Sequence, residues 1–246
     1  MLSKAQIKFI QSLQRNKSRK EYQQYLAEGA KIVPELIQNG AKIVQLYALP
    51  EWTAQNRLLL QQHGLQANPI TEDELAKISA LSTPNQVLAI VAMPQFDEHA
   101  LPTGLSIALD AIRDPGNLGT IMRTADWFGI KRVYCSPDCV DLYNPKTVQS
   151  TMGSVGRVEV VYTDLKALFT AHADVPVFAA DMQGTSLYET TMPAHGILLI
   201  GSESHGVSAE LLALSQPITI PRFGGAESLN AAMAAGIILG WWKGQG

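Results

Sequence analysis

Three short polar segments, far apart in the chain, each follow directly after a run of apolar residues. They are residues 110–123 (DAIRDPGNLGTIMR), 201–208 (GSESHGVS) and 220–230 (IPRFGGAESLN). Each apolar run is typical of a buried parallel strand, which places each polar segment at a strand's carboxyl end. In an open α/β sheet, ligands bind at that edge. The pattern therefore predicts one site to which several loops contribute.

Candidate strands and helices alternate through the second part of the chain. The strands are predicted at residues 105–109, 132–135, 157–161, 175–180, 197–200 and 218–220, and the helices at 118–128, 165–171, 209–214 and 228–242. Strands that alternate with helices indicate a parallel sheet that is covered on both faces. The predicted fold class is therefore α/β.

The first part of the chain has a shorter alternation that predicts a small α/β module. Strands are predicted at residues 43–48 and 87–92, helices near 51–63 and 72–80, and a further helix from the spacing of Tyr22, Tyr25 and Leu26. A Pro-rich polar stretch follows this module. The predicted organisation is a first module at residues 1–95, a linker at 96–104 and a second domain at 105–246.

The charge of the chain is unevenly distributed. The formal net charge of −3 argues against a uniformly basic nucleic-acid-binding protein. The first twenty residues nevertheless contain six Lys and Arg residues and neither Asp nor Glu. Such a run is typical either of the solvated face of an amphipathic helix or of a surface that binds phosphates, and the run itself does not decide. On the second interpretation, Lys4, Arg15, Lys17 and Arg19 are the candidate contacts.

Cysteine content and hydropathy exclude several other classes of protein. Cys135 and Cys139 are the two cysteines of the chain, and neither a second Cys pair nor a His pair lies near them in sequence. A structural zinc site and a disulfide framework are therefore not expected. The longest apolar run, residues 231–242, is too short to span a bilayer. The expected location is the cytoplasm, with no metal and no membrane partner.

Five residues of the three polar segments have side chains that suit catalysis, although each also has an ordinary structural explanation. Asn117 is predicted to cap the helix after the first strand. Arg123 lies nearly two turns further along, where an ion pair would explain it. Glu203 stands between two glycines in a tight turn. Ser228 is predicted to cap the last helix, with Asn230 in its first turn.

Taken together, the order and composition of the segments resemble the three motifs of the SpoU/TrmH branch of the SPOUT RNA methyltransferases. The matching patterns are N-x-G-x-x-x-R, G-x-E-x-x-G and I-P…E-S-L-N-A-A-x-A, which extend over roughly residues 105–242. Residues 25–36 resemble the family's amino-terminal substrate-binding module. One departure is Ser202, where the family commonly has Asn. Serine can still donate and accept a hydrogen bond.

The resemblance implies a SPOUT-type parallel sheet whose carboxyl-terminal segment forms a trefoil knot. It implies methyl transfer from S-adenosylmethionine to a ribose 2′-hydroxyl of structured RNA. The basic amino-terminal module favours rRNA over tRNA. No metal is needed, because the methyl group of a sulfonium is already activated. In the family, main-chain groups hold the cofactor, and the corresponding positions are Ala180, Gly201, Ile220 and Leu229.

The positions that match the family's catalytic residues are Arg123, Asn117, Glu203, Ser228 and Asn230. Because an arginine keeps its proton in ordinary protein settings, we expect Arg123 to bind the phosphate beside the target ribose and to orient the hydroxyl. Ser228 and Asn230 are expected to complete the hydrogen-bond network. Glu203 is expected to hold Arg123 or Asn117 in place.

Family members commonly form homodimers through helices that include the last one, which implies an interface at Trp241 and Trp242. The alternative is that these two side chains close the core. Two other functions stay open at this point: a catalytically silent RNA-binding protein with the same fold, and a dinucleotide-dependent enzyme. The complete polar set argues against the first. The lack of a G-x-G-x-x-G after a strand argues against the second.

Overall fold

The computed structural model describes residues 1–96 and 104–245, so residues 97–103 of the predicted linker lie outside the description. The described α-helices are α1 (Lys4–Ser12), α2 (Asn16–Tyr22), α3 (Ile32–Gln38), α4 (Pro50–Gln55), α5 (Arg57–Gln62), α6 (Glu72–Ile78), α7 (Pro115–Trp127), α8 (Pro145–Thr151), α9 (Leu165–Ala171), α10 (Ala209–Leu212) and α11 (Ala231–Gly244). The described strands are β1 (Gln24–Glu28), β2 (Ile43–Ala48), β3 (Asn68–Pro69), β4 (Val87–Ala92), β5 (Leu105–Leu109), β6 (Arg132–Cys135), β7 (Glu159–Tyr162), β8 (Val177–Ser186), β9 (Gly196–Ile200) and β10 (Gln216–Thr219). Among these helices, none has both the length and the hydropathy that crossing a membrane requires.

A first compact unit consists of residues 1–95 together with residues 141–157. Its sheet has the strand order β1-β4-β2-β3. Strand β4 pairs antiparallel with β1 and β2, whereas β3 runs parallel to β2. The sequence of β4, VLAIVA, is almost uniformly apolar because this central strand is buried along nearly its whole length. Ile10, Leu75 and Ile90 belong to one apolar cluster of this unit.

The helix predicted from Tyr22, Tyr25 and Leu26 is wrong, because the chain changes to strand β1 there. Helix α2 ends at Tyr22, and Gln23 adopts a left-handed conformation with a φ of 52°. Leu26 then pairs with Ile90 of β4. Tyr25 and Leu26 are both buried, so this strand is covered on its two faces. A short run of successive apolar residues does not distinguish such a strand from a helix.

The segment of residues 141–157 packs within the first unit, although it follows β6 of the second domain in sequence. Helix α8 lies in this segment and has no counterpart among the predicted elements. Arg19 donates from Nε and Nη2 to Oδ2 of Asp141, at 3.0 and 2.5 Å. The rings of Tyr25 and Tyr143 lie 4.5 Å apart. The partners of both pairs are more than a hundred residues apart in sequence, so local patterns do not reveal them.

The remaining described residues form a second compact unit around a six-stranded sheet. Its strand order is β10-β8-β9-β5-β6-β7, and every neighbouring pair is parallel. The predicted strands at 105–109 and 132–135 and the predicted helix at 165–171 have the observed bounds. The other predicted strands and helices of this unit differ from the observed ones by one to three residues at their ends, except that β8 continues to Ser186, six residues beyond its predicted end. The α/β class with a parallel sheet is therefore confirmed.

The pairing of β10 with β8 is interrupted in a way that shapes the site. Pro217 pairs with Ala179, but the next residue, Ile218, pairs with Thr185. The intervening residues of β8 take no part in the strand pairing, although the Thr219 hydroxyl of β10 donates to the Met182 carbonyl at 3.4 Å. A Cβ atom on Gly184 would overlap the backbone at Pro217 and Ile218, so only glycine allows this close passage. The knot that the resemblance implies stays a prediction.

Candidate active site

The carboxyl ends of three neighbouring strands lie at one edge of the second sheet. Leu109, the last residue of β5, pairs with Ile200 at the end of β9 and with Cys135 at the end of β6. The loops that follow β5 and β9 are joined directly. The Asp110 amide donates to the Ile200 carbonyl at 2.9 Å, and the Ser208 amide donates to the Asp110 carboxylate at 2.8 Å. Two of the polar segments therefore begin side by side.

A hydrogen-bonded triad of Asn117, Glu203 and Asn230 joins all three polar segments. The Asn117 side-chain amide donates to Glu203 Oε1 at 2.7 Å. The Asn230 amide donates to the same oxygen at 2.6 Å and to the Asn117 carbonyl oxygen at 2.8 Å. One carboxylate oxygen thus accepts two amide donors from loops that are far apart in sequence. Of the two partners expected for Glu203, the structure shows Asn117.

The helix caps differ from the predicted ones, and the difference explains how the triad forms. Asp114, rather than Asn117, caps α7 by accepting from the Asn117 backbone amide at 2.8 Å. The Asn117 side chain is therefore available to Glu203. Asn230, rather than Ser228, caps α11. Its Oδ1 accepts from the first-turn amides of that helix, while its Nδ2 donates to the triad.

The other two predicted catalytic residues lie outside the triad. Arg123 is exposed on α7. Within the described part of the chain, no hydrogen bond or ion pair joins it to Glu203 or Asn117. Ser228 is exposed and lines the cavity described next. The structure therefore brings three of the five residues into direct contact.

A cavity of about 780 Å³ opens at the same edge of the sheet. All four residues predicted to contact the cofactor, Ala180, Gly201, Ile220 and Leu229, line it. Glu203 lines it too, so the triad borders the cavity. Its volume falls within the range of roughly 300–1,000 Å³ that is typical of small-molecule sites.

The cavity walls suit a nucleoside-type cofactor such as S-adenosylmethionine. Ile200, Ile218 and Ile238 are buried apolar residues in its lining. A Cβ atom on Gly201 would overlap the backbone at Gly206, because the Ser202 and Gly206 backbones form a tight antiparallel bridge there. The Ser202 and Gly206 main chains bond to each other in this turn, and Gly201, Ser202 and Gly206 all line the cavity. Ser202 takes part through its backbone, and its Oγ accepts from the His205 amide at 3.2 Å, so serine in place of Asn supports the turn.

Several residues of this edge escaped the sequence prediction. Asp181, Met182 and Gln183 line the cavity because the interrupted pairing of β8 frees them. Arg222 and Phe223 line it from the loop after β10. A pairing irregularity has no local sequence signal. Arg222 and Phe223, by contrast, lie inside the third polar segment, and that segment is a sequence signal from which they could have been predicted.

The two cysteines lie beside the first loop and support it. Cys139 Sγ accepts from the Ile112 amide and donates to the Leu109 carbonyl, each at 3.3 Å. The hydrogen bond from Cys135 lowers the pKa of Cys139 to about 7, against the opposing effect of burial. The same bond, together with burial, raises the pKa of Cys135. No cluster of potential metal ligands occurs among the described residues.

The cationic amino-terminal run separates into exposed and buried residues. Lys4, Arg15 and Lys17 are exposed. Arg19 is only 2% exposed, and besides Asp141 its guanidinium bonds to the Leu13 and Gln14 carbonyls. The prediction that Arg19 contacts RNA is therefore wrong, because its donors are directed into the first unit.

The interface predicted at the two tryptophans also needs correction. Trp242 is 4% exposed, donates from Nε1 to the Pro193 carbonyl at 2.6 Å, and packs edge-on against Phe178. Trp241 packs edge-on against Tyr188. Trp242 therefore closes the core, which is the alternative left open above.

Fold and site together define a class: an α/β protein with a cofactor-sized cavity at the carboxyl edge of a parallel sheet. A polar triad beside that cavity supplies donors and acceptors for a second, polar reactant.

Comparison with known proteins identifies the family. Residues 104–240 match the SpoU rRNA Methylase family, and residues 4–89 match the MRM3-like substrate binding domain. The chain is 31% identical to the 23S rRNA (guanosine(2553)-2′-O)-methyltransferase RlmP of Bacillus subtilis, over 95% of this chain and 94% of that protein. This chain belongs to the SpoU rRNA methylase family.

Two solved structures resemble the chain over almost its full length. A TrmH-family protein from Porphyromonas gingivalis has 35% identity and a TM-score of 0.87, and each chain is covered completely. An AdoMet-bound rRNA methyltransferase from Sinorhizobium meliloti has 29% identity and a TM-score of 0.87, over 99% of this chain and 96% of that chain. The SPOUT-type fold class is thereby confirmed.

Proposed function

We propose that this protein transfers a methyl group from S-adenosylmethionine to a ribose 2′-hydroxyl of structured RNA, with rRNA as the favoured substrate. The observation that carries the proposal is the Asn117–Glu203–Asn230 triad at the border of the cavity. Its members come from three distant loops and correspond to the family motifs. The activity in the name of the Bacillus subtilis relative supports rRNA and the 2′-oxygen as the site of transfer.

The cavity residues hold the cofactor. When bound, S-adenosylmethionine supplies a methyl group that its sulfonium sulfur has activated. Main-chain groups at Gly201, Ile220 and Leu229, with Ala180 beside them, bind it, and the isoleucine side chains of the walls exclude water from it. No metal takes part in this proposal, since the methyl group needs no further activation.

Arg123 and the triad act on the RNA. A ribose hydroxyl is a weak nucleophile, so it has to be oriented toward the methyl group. Transfer would break the sulfur–methyl bond, form the oxygen–methyl bond and leave S-adenosylhomocysteine, while the hydroxyl proton passes to solvent water. Arg123 is exposed on α7 and binds the phosphate beside the target ribose through charge-assisted hydrogen bonds. Ser228 and the amide groups of the triad orient the hydroxyl. Glu203 fixes both amides by accepting from each, which pre-organises the site before RNA binds.

The first unit binds RNA as well. Lys4, Arg15 and Lys17 are exposed and contact phosphates. The match of residues 4–89 to a substrate binding domain supports this role. The bacterial rRNA methyltransferase relative supports the cytoplasm as the place where the protein acts.

A homodimer forms through exposed apolar side chains of α7 and α11. These two helices pack against each other. Trp127 on α7 is 85% exposed, and Met233 and Ile237 on α11 are exposed as well. Burial of such side chains against a second copy would be favourable. Light scattering on the wild type and on Met233→Asp tests this, with a shift from dimer toward monomer in the variant.

A methyl-transfer assay tests the proposed function. The substrate is rRNA from cells that lack this protein, and the donor is S-adenosylmethionine with a labelled methyl group. We expect label in the rRNA and one mapped 2′-O-methyl position that is missing in RNA from the deleted strain. Label in tRNA only would correct the substrate class. RNA binding without cofactor binding, measured by calorimetry, would favour the catalytically silent alternative.

A further inference from the structure

The loop between β10 and α11 presents a large aromatic side chain at the cavity. Phe223 is 92% exposed and belongs to the residues that line the cavity. Every residue from 222 to 230 is exposed. A single exposed apolar residue is common on protein surfaces, so its exposure carries weight only in combination with its place beside the proposed site.

A hydrogen bond spans the loop that carries this ring. The Arg222 guanidinium donates to the Ala226 carbonyl at 3.3 Å and so closes the loop across four residues. Gly224 and Gly225 follow Phe223, and neither has a neighbour that a side chain would touch. The hydrogen bond therefore spans the loop that carries Phe223, and the space around its two glycines is open.

The charges of the cavity lining disfavour phosphate and favour a neutral partner there. Asp181, Glu203 and Glu227 line the cavity, and in the described lining Arg222 is the cation that faces them. The net negative charge of this lining repels the phosphates of RNA. An RNA bound at the cavity is therefore expected to direct its phosphates away from it.

We propose that Phe223 stacks on an unpaired nucleobase of the RNA substrate, next to the ribose that is methylated. This inference rests on the proposed function. Stacking on a protein ring requires a base that has left its own helical stack. The substrate nucleotide therefore lies in a loop, bulge or single-stranded stretch of the RNA. Phe223 is a substrate-binding residue that sets this preference.

Kinetics of three substitutions separate stacking from simple apolar contact. Phe223→Ala and Phe223→Leu both remove the π face, but leucine keeps an apolar side chain, whereas Phe223→Trp keeps an aromatic one. We expect KM for rRNA to rise between about 5-fold and 150-fold in the alanine and leucine variants. The tryptophan variant should stay close to the wild type. Leu214→Ala, an exposed position outside the cavity lining, is the matched control and should change nothing.

Two further measurements keep other roles of Phe223 apart. Calorimetry with S-adenosylhomocysteine should give the same affinity in the wild type and in Phe223→Ala, and light scattering should give the same mass. A leucine variant with wild-type KM would overturn the proposal. Weaker binding of S-adenosylhomocysteine in the alanine variant would also overturn it, because the ring would then cover the cofactor.

Failure of the proposed function would be seen separately. In that case the wild type transfers no label to rRNA. Filter binding of the same rRNA still tests the stacking contact, since Phe223→Ala should bind it more weakly than Phe223→Trp. Equal affinity of the two variants would refute the stacking role.

Discussion

Two polar regions of this chain behave in opposite ways when it folds. The triad residues Asn117, Glu203 and Asn230 are separated by up to 113 positions and meet within hydrogen-bond distance. The cationic residues of the amino-terminal run are neighbours in sequence, yet the structure assigns them different environments. Lys17 is exposed, whereas Arg19, two residues later, is buried in an ion pair.

The contrast has a simple physical basis. Parallel strands have aligned carboxyl ends, so loops that follow neighbouring strands converge whatever their distance in sequence. In a helix, the side chains of successive residues point in different directions. Of two residues that are close in sequence, one can therefore face solvent while the other is buried in the protein. A shared position relative to strands is therefore a better guide to a site than a shared charge.

Arg123→Ala is the strongest test of the convergent region. We expect kcat for methyl transfer to fall by about 10²- to 10³-fold, which is the loss typical for removal of one positioned donor from an active site. Binding of S-adenosylhomocysteine should stay unchanged, because Arg123 does not line the cavity. Transfer kinetics and calorimetry on the same preparation measure the two quantities.

Lys131→Ala is the control for this substitution, since Lys131 is an exposed cation of the same unit outside the predicted site. It should keep the wild-type kcat. If Arg123→Ala is equally active, the proposed role of the guanidinium is refuted. If it loses cofactor binding instead, the arginine supports the cavity rather than the RNA.

Arg19→Met tests the other region through stability. The substitution leaves the Asp141 carboxylate, 19% exposed, without its partner and removes the donor to two backbone carbonyls. We expect a loss of about 3 kcal/mol in the free energy of unfolding, at the lower end of values for a broken buried pair because Asp141 keeps some solvent. Urea denaturation measures it.

Lys17→Met makes the corresponding change on the exposed side of the same helix. It should alter the free energy of unfolding by less than about 0.5 kcal/mol. Equal losses in the two variants would remove the distinction between buried and exposed cations on which the comparison rests.

The sequence was sufficient for much of the second unit and for its site. Strand β5 and the polar segment after it could be predicted from the pattern of an apolar run followed by small polar residues. In a parallel sheet, this pattern indicates a buried strand and a loop at its carboxyl end. The caps could not, since Asp114 and Asn117 are both good capping residues. Which one accepts the amide depends on where Glu203 lies, and that residue comes from a distant loop.

The first unit was harder to predict, for a different physical reason. Arg19 and Tyr25 are buried by Asp141 and Tyr143, which reach them from beyond the second domain's first two strands. Contacts of this kind leave no periodic signal in either segment. The first unit is therefore built from two separate segments of the chain, and a single domain boundary in the sequence cannot describe it.

The salt dependence of RNA binding sharpens the distinction between the exposed and buried cations. In a variant with Lys4, Arg15 and Lys17 all changed to Gln, the slope of log affinity against log salt should become shallower by roughly 2. Arg19→Lys should leave the slope unchanged, because that position does not face solvent. Filter binding of rRNA at several salt concentrations measures both. An unchanged slope in the triple variant would show that these cations bind no phosphates.

Glu28→Gln tests a buried carboxyl of the same unit, with the smallest expected effect. Burial raises the pKa of Glu28 above its ordinary value of 4.5, although bonds from the Ser79 hydroxyl and the Ala80 amide lower it in part. The folded state thus holds this proton more tightly than the unfolded chain. Its stabilising contribution is complete below pH 4.5 and is lost as pH rises through the raised pKa.

The wild type should therefore lose stability relative to Glu28→Gln over that pH range. Glutamine does not titrate and can still bond to Ser79 and Ala80. Glu74→Gln is the matched control, because backbone amides of Leu2 and Thr71 lower the pKa of Glu74. Its contribution has the opposite sign, being present above the ordinary pKa and lost as pH falls. Urea denaturation across pH 4 to 7 separates the two trends. The same trend in both variants would contradict the assignment of Glu28 as the buried member.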